Sequence, residues 1–310
     1  MAFYFAPIAE GLGDLLLTLP ALDALIATDE KTYLVVRSRK QLGCADVING
    51  LAGCIHEPDF LKRPLADGDN YINLRTHPLF MHNVVGSDRF IEEFGCLSII
   101  DIYELIAYDY LTVNLGIHCT FRHYKPFSAN PQPLADGKIL LIPGSAGTYK
   151  CLETARWMHL MDLLRTNNLE FLVLGKPEDS QEVRDLLTLG APHLPTPDLR
   201  AAIDAISAAS AVVSVDTGLM HLAVQQGIPT ITMHQSRSIF VRPEPNCYPI
   251  LAKPCIEACL SWTKAEPSAV DFFDNFEGPE NYACPAAYED RCMNSISPAT
   301  ILEKLLEVVP

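Results

Sequence analysis

Positive charge is what this chain has least of: 23 lysines and arginines stand against 38 aspartates and glutamates, giving net −15 and a sequence pI near 4.9. Phosphate backbones demand a basic face, so nucleic acid is excluded as a partner. A polybasic attachment to anionic lipid is disfavoured for the same reason. Net charge describes the whole surface, however, and leaves room for a local basic pocket. No apolar run approaches the ~18 residues needed to span a bilayer. The amino terminus, MAFYFAPIAEGLGD, has neither a basic stretch nor a small-residue cleavage site, so no signal peptide is read. The expectation is a cytoplasmic protein, reaching at most the inner face of the inner membrane as a peripheral contact. Repeats of solenoid length and low-complexity tracts are also missing. So are two nucleotide motifs: G-x-G-x-x-G fails because Leu16 occupies its last position, and no P-loop spacing occurs.

What is present is an ordinary folded composition, 49% hydrophobic and 20% charged. At 310 residues the chain suits two domains of roughly 130 to 170 residues each. Short apolar strands alternate with segments of helical spacing, the pattern of βαβ units and a parallel sheet. In the first half AFYFAPI, TYLVVRS (32–38) and YINL (71–74) read as strands. DLLLTLPALDALIA, DRFIEEFG and DIYELIAYDYLTVNLG read as helices, and ADVINGL as a helix or turn. Residues 121–137, FRHYKPFSANPQPLADG, carry three prolines and no periodicity, and the interdomain linker is placed at 126–137. The alternation then restarts through KILLIPG, TARWMHLMDLLRTN, EFLVLG, EDSQEVRDLLTLG, PDLRAAIDAISAAS, AVVSV, TGLMHLAVQQG and PTITMH. Residues 241–292 read as irregular, rich in proline and cysteine. SPATILEKLLEVV closes the chain as a helix capped by Ser297 with Pro298 in its first turn. The division expected is a first α/β domain over 1–125, a second over 138–296, and a closing helix over 297–310.

Ligands of open parallel sheets bind beyond the carboxyl ends of the strands, where helix amino termini point. Four stretches fall there. In VDTGLMHLA, after AVVS, a helix starting at Thr217 would offer the N–H groups of Gly218, Leu219 and Met220 to a diphosphate; the alternative is that Asp216 or Thr217 is a plain helix cap. In GLGDLLLTLP, Gly11 and Gly13 bracket a tight turn and Asp14 is either a cap or a general base. In PGSAGTYK, the small residues around Gly144 and Ser145 and the ammonium of Lys150 suit phosphate, with a solvated surface charge as the alternative. In GKPED, Glu178 or Asp179 suits a sugar or ribose hydroxyl, or is a cap or solvated carboxylate.

G-D-L-L-L-T-L-P-A-L, P-G-S-A-G with a lysine soon after, and D-T-G-L-M-H-L-A followed by G-I-P-T together resemble glycosyltransferase family 9, the ADP-heptose:lipopolysaccharide heptosyltransferases. The resemblance covers most of the chain in the family's order, and D-T-G-x-M-H-L-A is its most specific part. It implies a GT-B fold, two Rossmann-like domains facing a central cleft, with acceptor bound by the first and donor nucleotide by the second. It implies that Asp14 is the base for the acceptor hydroxyl, that Lys150 contacts phosphate, and that Asp216, Thr217, Gly218, Leu219 and Met220 form the diphosphate loop. It places His221 on the family histidine and Glu178 or Asp179 where relatives hold the donor's ribose or sugar. One departure is that the family's K-x-W has Leu152 for tryptophan, with Trp157 the next aromatic residue. The partners implied are a nucleotide-diphosphate sugar, ADP-heptose first, and a lipopolysaccharide-core, glycan or protein acceptor. No cofactor is required for catalysis on this reading.

On the acceptor side, INLRTHPLFMHN (72–83) offers Arg75, His77 and His82 to anionic groups, or is simply polar surface. Cys255, Cys259, Cys284 and Cys292, with Cys247 as a fifth thiol, could ligate a structural zinc or iron across 38 residues of chain; buried free thiols are the alternative. A cysteine-rich carboxyl region also resembles that of the protein-modifying heptosyltransferases, which implies iron. Two other functions remain open: a nucleotide-sugar epimerase, and an inactive nucleotide-sugar-binding module.

Overall fold

The computed structural model describes residues 1–8, 11–37, 39–77, 98–121, 127, 129–145, 147, 150–235, 241–253 and 291–309. The expected helix over 88–95, His82, and the thiols Cys255, Cys259 and Cys284 lie outside the described residues.

The first half builds a four-stranded sheet from β1 (Ala2–Ala6), β2 (Lys31–Val36), β3 (Gly53–His56) and β4 (Asn70–Asn73), all parallel, in the order β3-β2-β1-β4. Its helices are α1 (Leu12–Ile26), the single turns α2 (Arg39–Leu42) and α3 (Glu57–Phe60), and α4 (Ile99–Ala107). Ser98 starts α4 with a reciprocal capping box: its hydroxyl accepts from Asp101 N–H while the Asp101 carboxylate accepts from Ser98 N–H. The helix then runs on as a π-helical stretch, Tyr108–Val113.

The second half builds a six-stranded parallel sheet from β5 (Ile139–Ile142), β6 (Phe171–Leu174), β7 (His193–Leu194), β8 (Ala211–Val215), β9 (Thr230–His234) and β10 (Cys247–Leu251), ordered β10-β9-β8-β5-β6-β7. Between them run α5 (Thr154–Thr166), α6 (Gln181–Thr188), α7 (Leu199–Ala208) and α8 (Gly218–Gln225). The closing helix, α9 (Pro298–Leu306), is capped by Ser297, which accepts from Thr300 N–H at 3.0 Å, and packs on α5.

The stretch 241–292, read from sequence as irregular, contains β10. Pro249 argues against a strand there, but β10 is the outermost strand, where a missing N–H costs the ladder little. Strands β3 and β7 were not read either: β7 has only two residues, and β3, Gly-Cys-Ile-His, is half-buried throughout and offers no apolar run. The described part of the linker docks on α7: Asn130 N–H donates to the Asp204 carboxylate and Gln132 N–H to the Asp204 carbonyl.

One apolar cluster runs from the first sheet to the second. It takes Phe3 and Phe5 from β1, Leu15, Leu16, Leu19, Leu22 and Leu25 from α1, Tyr103 and Ile106 from α4, then Ile203 and Ile206 from α7, Leu222 from α8, and Leu140 and Val212 from the second sheet. Helix α1 is therefore covered nearly all round, with nine of its residues buried, which its apolar sequence requires. Each fully buried leucine contributes about 1.5–3 kcal/mol, so the contact between the halves is an extension of the core. A second cluster under α5, α6 and α9 fills the other face of the larger sheet.

Candidate functional site

In each sheet the chain reverses its winding direction at one place: between β1 and β4 in the first, and between β5 and β8 in the second. Crevices open at such switch points, beyond the carboxyl ends. The segments leaving β1, β5 and β8 carry Asp14, Lys150 and Asp216 respectively.

The two halves touch where α1 and α8 begin. A Cβ placed on Gly218 would lie 2.9 Å from the backbone nitrogen of Gly13 and 3.0 Å from Leu12 Cβ; one placed on Gly13 would lie 3.2 Å from the His221 ring. Any side chain at position 218 would force the two backbones apart, and one at position 13 would crowd the His221 ring. Asp14, on the third residue of α1, feels the charges of His221, Lys150 and Asp216 across this contact. The chain thus brings Asp14 to the same place as Lys150 and the start of α8.

None of the capping alternatives is realised. The residue before α1 is Gly11, with no side-chain cap. Thr217 precedes α8, and its hydroxyl makes no capping bond. The Asp216 carboxylate turns to Lys150, whose Nζ donates at 2.7 Å, and to His221, whose Nε2 lies 3.6 Å away. Ser145 ties the loop after β5 to the same point, its hydroxyl donating to the Asp216 carbonyl at 2.8 Å. The N–H groups of Gly218 and Leu219 take no partner among the described residues. Met220 corrects the expectation of three available N–H groups: its own donates to the Thr217 carbonyl at 3.0 Å, because the first turn closes tightly, and its side chain is buried beside Val224 and Cys247.

Electrostatics separate the two carboxylates. Burial is the largest influence on Asp14 and raises its pKa, outweighing the Tyr103 hydrogen bond and the charges of His221 and Lys150. Burial would raise Asp216 too, but Lys150, His221 and His234 together hold it far below the usual carboxylate range. His221 and His234 are pushed down by burial, His234 to about 4, so both are neutral near pH 7. A permanently ionised carboxylate therefore fixes the lysine, and a more proton-hungry one faces it.

The remaining sequence candidates divide. Gly144 packs against the start of α6, where a Cβ would meet the Ser180 hydroxyl at 2.4 Å, so its smallness serves strand–helix packing. Glu178 and Asp179 are exposed in the loop after β6. Trp157, on α5, and Leu152 are both buried in the second core, so no aromatic surface is offered to a ligand from either position. Arg75 and His77 are not polar surface: Arg75 pairs with the buried Glu57, which also takes Arg37 at 2.6 Å, and His77 Nε2 lies 3.2 Å from Asp109. Cys247 sits in β10 with Sγ 3.6 Å from the Thr232 hydroxyl. Cys292 is buried in the second core. Among the described residues no group of three His, Cys, Asp or Glu side chains is arranged for a metal ion, and no helix is long and apolar enough to cross a membrane.

Sequence reasoning missed Tyr103, whose hydroxyl donates to Asp14 Oδ1 at 3.0 Å, and Gln225, whose amide donates to the Leu16 carbonyl at 2.8 Å. It also missed His234, a further influence that lowers Asp216, and Arg242, whose charge helps hold His221 down. No local motif marks them, since each acts on a partner distant in sequence.

Residues 108–248 match the model of glycosyltransferase family 9 (heptosyltransferase). No curated protein matches the sequence. Among solved structures, ADP-heptose LPS heptosyltransferase II of E. coli aligns with 100% of this chain and 98% of its own, at TM-score 0.64 and 14% identity. A family 9 glycosyl transferase of Veillonella parvula aligns with 99% of this chain and 97% of its own, at TM-score 0.63 and 15% identity. The iron-containing dodecameric glycosyltransferase TibC of enterotoxigenic E. coli aligns with 99% of this chain and 75% of its own, at TM-score 0.60 and 13% identity. The fold is the α/β GT-B type that those structures share.

Proposed function

Since residues 108–248 match the glycosyltransferase family 9 model, we propose that the chain is a glycosyltransferase that moves a sugar from a nucleoside-diphosphate donor, ADP-heptose first, with inversion in one displacement. The reading divides the chain into an acceptor domain over 1–125, a linker over 126–137 and a donor domain over 138–296. Asp14 takes the acceptor hydroxyl proton as the new bond to the sugar's anomeric carbon forms. The bond from that carbon to the phosphate oxygen breaks, and its electron pair leaves with the nucleoside diphosphate. Lys150, the Thr217 hydroxyl and the amides of Gly218 and Leu219 stabilise that charge. Asp216 and His221 hold Lys150 in place, and Glu178 meets the donor's ribose or sugar hydroxyls. One observation carries the reading: Asp14 from the first half and Lys150 and α8 from the second converge at the Gly13–Gly218 contact.

ADP, an ADP-heptose and ADP-2-deoxy-2-fluoro heptose occur in the names of solved structures that the chain resembles, which favours ADP-heptose for the donor. The acceptor is a lipopolysaccharide core, a glycan or a protein, and net −15 favours one away from an anionic membrane. A structural zinc or iron at Cys255, Cys259, Cys284 and Cys292 is a further part of the proposal.

A thermal-shift screen of ADP-, GDP- and UDP-sugars should single out the ADP series. Asp14→Asn should then lose at least ~100-fold in turnover with ADP affinity intact by calorimetry, while Lys150→Ala should bind ADP more weakly. Full turnover by Asp14→Asn refutes the base assignment, and unchanged ADP affinity in Lys150→Ala refutes the phosphate contact. ADP binding without ADP release from any acceptor mixture would favour a binding module.

A further inference from the structure

Tyr103 reaches Asp14 from α4, across 89 positions of sequence. The ring is 1% exposed and packs in the cluster shared by both halves. A buried tyrosine hydroxyl ordinarily finds a partner, and here the choice of partner breaks the symmetry of a carboxylate. Tyr103 donates to Oδ1 of Asp14 at 3.0 Å. Oδ2 accepts no hydrogen bond from a described residue and lies beside the Gly11 backbone, where a Cβ would come within 2.6 Å of it.

We propose that Tyr103 is a positioning residue for glycosyl transfer: by engaging Oδ1 it fixes the Asp14 carboxylate so that Oδ2 alone meets the acceptor hydroxyl. The proposal rests on Asp14 being the base. In the transfer, the acceptor proton passes to Oδ2 while Oδ1 keeps the phenol hydrogen bond, and the phenol keeps its own proton. Burial and the Asp14 charge raise Tyr103 well above the ordinary tyrosine range, so it remains a donor over the working pH.

The same bond sets the ionisation of the base. Burial raises Asp14, and the Tyr103 hydroxyl opposes it, together with His221 on α8 and Lys150 after β5; Asp216 after β8 pushes it up. A hydrogen bond donated to the carboxylate favours the ionised form. Without the hydroxyl, Asp14 titrates at higher pH, and less of it is ionised on the acid side.

The test uses full-length protein labelled with [13Cγ]aspartate, the Asp14 resonance being identified by its absence in Asp14→Asn. Its titration is followed in wild type and in Tyr103→Phe, which keeps the ring and the packing. Alongside, ADP release from ADP-heptose is measured with water as the acceptor. The Asp14 midpoint should rise by about half a pH unit or more in Tyr103→Phe. Release should slow by roughly ten-fold, as expected for a misdirected base, with KM for ADP-heptose within about two-fold. Adding Tyr103→Phe to Asp14→Asn should cause no further loss. An unmoved Asp14 titration overturns the proposal, as does an equal loss in the Asp14→Asn background, which would mark a purely structural tyrosine. Undiminished release by Asp14→Asn removes the base itself, an outcome the titration does not mimic.

Discussion

Helix α1 contains Pro20 in its interior, and proline has no N–H to give the carbonyl four residues back. That carbonyl is Leu16, on a residue 1% exposed, so water does not satisfy it. The donor comes instead from the other half: Gln225 on α8 gives its amide to Leu16 O at 2.8 Å. Removing that amide leaves a buried carbonyl without its donor, at a cost of about 1–3 kcal/mol. Gln225 Oε1 is itself buried without a partner, so an isosteric Gln225→Leu relieves one orphan while creating another. The net loss expected is about 1–2 kcal/mol, or roughly 1–2 °C in Tm per kcal/mol for a chain of this size. Pro20→Ala restores an N–H within α1, so the double variant should recover most of the loss, with a coupling of about 1 kcal/mol in a urea-denaturation cycle. Additive effects of the two substitutions, or a Gln225→Leu protein as stable as wild type, would refute the reasoning that α8 completes a helix broken in the opposite half.

Three other outcomes follow from the geometry. Gly218→Ala puts a methyl carbon 2.9 Å from the Gly13 backbone nitrogen, so the halves must part; a loss of about 1–3 kcal/mol by thermal unfolding and a drop in turnover of up to ~100-fold are expected, whereas Gly68→Ala, where nothing lies within 4 Å but φ is +90°, should lose stability alone. His234 is held neutral, with its pKa lowered to about 4. Its unfolded form binds a proton that the folded form refuses, so stability is complete above about pH 6.5 and falls by up to about 3 kcal/mol as pH drops to about 4; urea midpoints between pH 7 and 4 should fall less steeply in His234→Gln. Protein purified without added metal should carry about one equivalent of zinc plus iron by elemental analysis if the four carboxyl-region cysteines form a site, and under about 0.2 equivalents rejects it.

Which parts of this architecture a single sequence discloses depends on how far apart the cooperating residues lie. AVVSV and β8 coincide residue for residue, and Ser297 with Pro298 starts α9 as read, because strand runs and caps are written in neighbouring positions. Asp14, Lys150, Asp216 and Thr217 were legible as candidates because each follows an apolar run at a strand's carboxyl end. Their assembly was not legible, since it depends on Gly13 meeting Gly218. Tyr103 and Gln225 lie in ordinary apolar helices, and their polar atoms find partners 89 and 209 positions away. Arg75 and His77 misled in the opposite direction: polar residues after a strand read as open to ligands or water, yet Glu57 and Asp109 occupy them.

The contact between the glycines also explains why two carboxylates can share one confined place. Both α1 and α8 point their amino ends at it, and each end carries a partial positive charge of about half a unit. Lys150 adds a full one. Asp216 pairs with the lysine at 2.7 Å, so neither buried charge is left uncompensated, which would cost several kcal/mol. On the proposed reading, a diphosphate entering there would gain Lys150, the amides of Gly218 and Leu219, which take no partner among the described residues, and both helix ends together. It also brings negative charge toward Asp14, and added negative charge raises a carboxyl pKa. On that reading the group proposed to take the proton would become more basic when the leaving group is in place, through a field that both halves supply and neither could supply alone.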